Sequence, residues 1–69
     1  MKHLERITFD PAIMGGKPCF RGLRLTVGTI IGLLASGVSS EGVLKMYPYL
    51  QSEDIIEALS YAGWRASNF

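Results

Sequence analysis

The chain has 69 residues, of which 48% are hydrophobic and 19% charged, and its net charge is +1. That length predicts one domain, residues 1–69, leaves little surface for a deep catalytic cavity, and is too apolar for a disordered segment. The longest apolar stretch, Leu25 to Leu34, is interrupted by Thr26, Gly28, Thr29 and Gly32 and falls short of the roughly 20 residues that cross a bilayer. Residues 1–6 open no leader-like apolar run, and the lone Cys19 can form no internal disulfide, so a reducing cytoplasm is expected. One cysteine and one histidine (His3) make no metal site by themselves, and no cofactor is expected. Five cations stand against two carboxylates in residues 1–26, a balance of +3, and two against four in residues 27–69, a balance of −2.

In chain order, Ile7-Thr8-Phe9 is a short β-prone run stopped by the turn-forming pair Asp10-Pro11, with a flexible corner at Gly15-Gly16. Leu23-Arg24-Leu25 alternates apolar and basic residues as a half-buried strand would, which predicts a hairpin turning near Arg21-Gly22. Thr26 suits the N-cap of a first helix whose apolar stripe is Val27, Ile30, Ile31 and Leu34, closed by Gly37. Ser39 caps a second helix that Pro48 stops, with Val38, Val43 and Met46 expected to pack inward. A third helix begins near Ser52, with Ile55, Ile56, Leu59 and Ala62 as its buried stripe. Glu53, Asp54 and Glu57 read as its solvated face, Gly63 as its end, and Trp64 to Phe69 as an apolar tail. The expected fold is mainly α: a short N-terminal β-hairpin and then a three-helix bundle of helix-turn-helix type, in the manner of winged-helix and homeodomain folds.

Residues 34–43 have the form of a helix-turn-helix corner, in which a glycine permits the left-handed turn, an apolar residue plugs it and a serine caps the next helix. An ordinary helical hairpin has the same form. The second helix offers Ser39, Ser40 and Lys45 to a ligand but only one cation, so contacts to DNA phosphates would draw on Lys17, Arg21 and Arg24. These three also read as a solvated strand face. No nucleophile–base pair is visible, and Gly15-Gly16-Lys17 is too short for a phosphate-binding loop, so no enzymatic activity is expected.

Ile7, Asp10-Pro11, Gly16-Lys17-Pro18, Arg21-Gly22, Arg24, Gly37-Val38-Ser39, Tyr47-Pro48, Leu50, Glu53-Asp54-Ile55, Ala58-Leu59 and Tyr61-Ala62 stand in an order that resembles one known family. It is the prokaryotic family named domain of unknown function 433, and the resemblance runs from about residue 4 to 63. It implies a helix-turn-helix-like antitoxin of a type II toxin–antitoxin pair, neutralising a toxin with a PIN-like nuclease domain and binding its own operator DNA. Three residues depart from the pattern: Gln51 in place of a capping Ser or Thr, Gly42 in place of a helix former, and Leu23 in place of Thr. The first two are expected to loosen the helices. A homodimer is expected as well, because nearly half of so short a chain is apolar, with Leu59, Trp64 and Phe69 as partner-facing residues. Toxin contact has two candidate surfaces, an apolar grip through Trp64 and Phe69 or the basic Lys17, Arg21 and Arg24 set against toxin carboxylates. The alternatives are a homodimeric interaction module and a free-standing DNA-binding regulator.

Overall fold

Asp10 starts the first reversal of the chain. Its Oδ1 accepts from the Ala12 N–H at 2.9 Å and its carbonyl from the Ile13 N–H at 2.9 Å, and a 3-10 turn follows over Met14–Gly16. This loop brings β1 (Ile7–Thr8) antiparallel to β2 (Cys19–Phe20), with Ile7 opposite Phe20 and Thr8 opposite Cys19. The computed structural model describes residues 5–68, from β1 through α1 (Val27–Ala35), α2 (Ser40–Met46) and α3 (Ser52–Asn68). The architecture is mainly helical, a two-stranded antiparallel hairpin followed by three helices.

A second reversal follows at Arg21-Gly22, where the sequence placed its turn. Both central residues have positive φ, 46° and 74°, and the Leu23 N–H bonds to the Phe20 carbonyl at 2.7 Å, the pattern of a type I′ turn. The returning segment bonds to the other edge of β2 through Phe20 N–H to Leu25 O, Val27 N–H to Pro18 O and a bridge between Cys19 and Thr26. Leu23-Arg24-Leu25 is thus not a regular strand, although its burial alternates as expected, with Leu25 buried and Arg24 exposed.

The Thr26 hydroxyl accepts from the Thr29 N–H at 3.2 Å and caps α1. The C-terminus of α1 is a Schellman motif, in which Gly37 (φ 103°) donates to Leu34 O and Val38 donates to Leu33 O. One residue later the Ser39 hydroxyl accepts from the Gly42 N–H at 3.0 Å and starts α2. Gly42 sits against the corner: a Cβ there would stand 3.1 Å from Val38 Cγ1 and 3.3 Å from Ser39 Oγ. It lets α2 approach its own entry turn, a gain set against the cost of a glycine inside a helix.

The core holds Ile7 and Phe20 from the hairpin, Leu25, Val27, Ile30, Val43, Leu50, Ile55, Ala58 and Tyr61. Three expectations are corrected. Met46 does not pack inward and is 53% exposed, because α2 is short and turns only Val43 fully into the core. The inward stripe of α3 also lies one residue earlier than expected. Asp54, Ile55, Ala58 and Tyr61 are buried, while Ile56 and Leu59 are 62% and 50% exposed. The register is set by Asp54, whose carboxylate faces in. The helix also runs through Gly63 to Asn68, so Trp64 stands on a helix rather than in a tail, and Phe69 lies outside the described residues.

Candidate functional site

The densest polar cluster sits at the N-terminal end of α3. Asp54 is fully buried and its carboxylate is saturated. Oδ1 accepts from Arg6 Nη1 at 3.2 Å and from Arg21 Nε at 3.2 Å; Oδ2 accepts from Arg21 Nη2 at 3.0 Å and from the Gln51 N–H at 2.8 Å. Arg21 therefore holds Asp54 through two nitrogens, the geometry in which a guanidinium best matches a carboxylate. It also donates to the Tyr49 carbonyl at 2.9 Å, while Arg6 donates to Gln51 Oε1 at 2.7 Å. Burial alone would raise the Asp54 pKa, but the Gln51 N–H and the two guanidinium groups more than offset it and hold the carboxyl below its ordinary value of 3.8.

Glu57 extends the cluster by accepting the Arg6 backbone N–H at 2.7 Å and that of Glu5 at 3.4 Å. Asp54 and Glu57 thus leave the solvated face on which the sequence placed them and fasten β1 and the Arg21 turn to α3. The expected weakness of Gln51 as a cap is also corrected. The Asp54 carboxylate reaches back to the Gln51 N–H while the Asp54 N–H bonds to Gln51 O at 3.0 Å, as the far residue of a capping box does. A carboxylate three residues after the cap position was a legible signal for this. The arginine partners were not legible, because they lie 48 and 33 positions away.

Arg21 is accordingly engaged by the Asp54 carboxylate and the Tyr49 carbonyl, with its side chain still 37% exposed. Lys17 lines a groove together with residues from the start of α1 and the C-terminal half of α3. Lys17, Arg24 and Lys45 are exposed and, among the described residues, make no side-chain hydrogen bond or ion pair. Ser39 is occupied by its capping bond, while Ser40 and Lys45 are exposed on α2 together with Glu41.

Two further surfaces complete the inventory. Large apolar side chains stand in solvent at Phe9, Met14, Met46, Tyr49, Ile56, Leu59 and Trp64. Phe9, Tyr61 and Trp64 form a chain of rings with centroids 5.9 and 6.2 Å apart. A groove of about 660 Å³ opens between the N-terminus of α1 and the C-terminal half of α3, lined by Lys17, Pro18, Val27, Ile31, Tyr61 and Arg65 among others. Sequence reasoning missed this groove and the role of Arg65 in it. Among the described residues no group of three or more His, Cys, Asp or Glu side chains is placed to hold a metal, and no helix is long and apolar enough to cross a membrane.

The fold has a solved counterpart in the crystal structure of a DUF433 member protein from Anabaena variabilis, with a TM-score of 0.84 at 27% identity over 91% of this chain and 62% of that one. A curated relative, the uncharacterized protein y4eO of Sinorhizobium fredii, is 40% identical over 58 residues, which is 84% of this chain and 26% of that protein. The chain thus spans about a quarter of the length of the curated relative it matches. Residues 7–62 match the family model described as protein of unknown function (DUF433), and the chain belongs to that family.

Proposed function

We propose that the chain is a non-enzymatic binding protein, the antitoxin of a type II pair, which neutralises a PIN-like nuclease by direct contact and binds its operator DNA in the cytoplasm. The observation that carries the protein-binding half is the amount of large apolar side chain left in water. Phe9, Met46, Tyr49, Ile56 and Leu59 are each half exposed or more, against eleven buried hydrophobic residues among those described. Exposed apolar groups on this scale in a small domain suit coverage by a protein partner. A homodimer belongs to the same reading, with Ile56 and Leu59 of α3 as the surface available to a second copy. Light scattering at micromolar concentration is expected to return a dimer, and a strict monomer would remove that part.

The DNA half is supported by the capped corner between α1 and α2, with Ser40 and Lys45 exposed on the second helix where a recognition helix would stand. This corner also favours the second reading, a DNA-binding regulator without a toxin. The test is co-expression with the product of a neighbouring PIN-like nuclease gene. A stable complex that suppresses the nuclease is expected. A nuclease that stays active and unbound, beside specific DNA binding by the chain, would leave the regulator instead.

A further inference from the structure

From the outer sides of α1 and α3 we infer that two copies of this protein pack through one two-helix face, with α3 of one copy antiparallel to α3 of the other. The inference rests on the homodimer part of the reading above and deepens it, because it names the face, includes α1 in it and fixes the direction of pairing.

None of the nine residues of α1 is charged, on its buried side or on its outer side. Gly28, Gly32 and Ala35 follow one another at steps of four and three along the outer side, and all three are exposed. On α3 the exposed Ile56, Leu59 and Gly63 recur at steps of three and four, with Ile56 and Leu59 at 62% and 50% exposure. The groove joins the two strips, since Gly28 and Ile31 of α1 and Ala62 and Ala66 of α3 all line it. The strips themselves carry no charge. A helix side that faces water normally holds charged residues, and their depletion is what distinguishes the centre of a protein interface.

The occupant that fits is a second copy. Ile56 and Leu59 project from the face, while a Cβ built at Gly28, Gly32 or Gly63 would meet nothing within 4 Å, so these positions leave notches over the helix backbone. A face with both projections and notches can match itself across a two-fold axis, where the same patch meets on both copies. Charge sets the direction. Lys17 lines the groove with the C-terminal half of α3, and Glu53 stands in the first turn of α3 at the other end. Both are exposed and, among the described residues, have no side-chain partner. Antiparallel pairing brings the acidic end of each copy toward the basic end of the other and opposes the two helix dipoles, whereas parallel pairing stacks like ends. Size brings in α1. A stable interface takes about 800 Å² from each partner, roughly a sixth of the 4477 Å² accessible surface of the chain, and the strip on α3 alone is one side chain wide.

The experiment measures the dimer dissociation constant of the full chain by sedimentation, beside three variants at exposed positions. Leu59→Glu and Gly32→Glu each place a charge in the face and should weaken the dimer by about a hundredfold or more. The second is the stricter test, because glutamate is a better helix former than glycine and by propensity alone favours the folded monomer. Met46→Glu, on α2 and outside the face, should leave the constant unchanged. Unchanged helical circular dichroism confirms that the variants fold. Direction is read by mixing isotope-labelled chain with unlabelled chain that carries a nitroxide at Ser52→Cys, the buried Cys19 being out of reach of the reagent. Antiparallel pairing should broaden the amide signals of Gly63 and Ala66, and broadening at Ser52 and Glu53 instead would overturn the pairing. A dimer that survives both glutamate variants would remove this face while the homodimer stands, and loss in Leu59→Glu alone would remove the share of α1. A strict monomer would take away both the face and the homodimer, and one whose nuclease complex fails in Leu59→Glu would hand the face to the nuclease. A dimer broken by both variants, in a chain that ignores the nuclease, would keep the face and remove the antitoxin reading.

Discussion

The two ends of α3 use charge in opposite ways. At the N-terminal end a buried carboxylate meets two guanidinium groups and a backbone N–H, and every oxygen lone pair directed inward has a donor. At the other end Lys17 and Arg65 line an open apolar groove, with no carboxylate side chain among its described lining residues. Charge matched by buried partners holds the fold at the first end, while Lys17 at the second stands exposed with no side-chain partner among the described residues. Arg21 and Lys17 are only four residues apart in sequence, yet they fall on opposite sides of this division.

The largest effect is expected from breaking the matched end. Asp54→Ala leaves Arg6 and Arg21 without their shared anion and α3 without its reciprocal cap. Removing one partner of a buried pair costs about 3–5 kcal/mol, and the partial exposure of both arginines, 28% and 37%, places this case near about 3 kcal/mol. Chemical denaturation measures it directly. A loss below about 1 kcal/mol would show that water replaces the carboxylate at little cost.

The same carboxylate sets an acid dependence. Its pKa in the fold lies below the ordinary 3.8, so between the two values the unfolded chain binds more protons than the folded one. Stability therefore rises with pH through that window, is fully present above about pH 5, and is lost as pH falls from about 4 through the folded-state value. Denaturation midpoints at pH 3 to 6, measured in parallel on the parent and on Asp54→Asn, should converge toward low pH. Parallel curves would take the acid sensitivity away from Asp54.

The helical corner comes next in size. Gly37 has φ 103° and donates to Leu34 O at the end of α1, so Gly37→Ala forces a Cβ into a left-handed backbone and should cost about 1–2 kcal/mol. Ser39→Ala removes the acceptor for the Gly42 N–H and should cost about 1 kcal/mol. Thermal unfolding of the two variants separates the turn from the cap. Equal and negligible losses would mean that the corner is held by Val38 and Val43 packing instead.

These punctuation residues explain what could be read from the sequence. Thr26, Gly37 and Ser39 act through backbone groups a few positions away, and the starts of α1 and α2 were legible from them. The Arg21-Gly22 reversal was legible on the same local grounds. The register of α3 was not, because apolar content favours Ile56 and Leu59 facing inward and only the distant Arg6 and Arg21 select Asp54 instead. The groove was hidden for the same reason, since its walls come from residues 17–31 and 61–66.

The smallest effect on stability, and the sharpest on function, is expected at the unmatched cations. Lys17, Arg24 and Lys45 are exposed and, among the described residues, hold no partner, so replacing each with Ala should change stability by no more than about 0.5 kcal/mol. Arg21 cannot serve in such a test, because its loss would disturb the Asp54 cluster and confuse unfolding with lost contact. If operator phosphates meet Arg24 and Lys45, the double alanine variant should flatten the dependence of log affinity on log salt by about one unit for each lost contact. Lys17→Ala should leave that slope alone if operator contacts are confined to Arg24 and Lys45. A reduced slope for Lys17→Ala, with none for Arg24 and Lys45, would move the nucleic-acid surface to the groove end of α3.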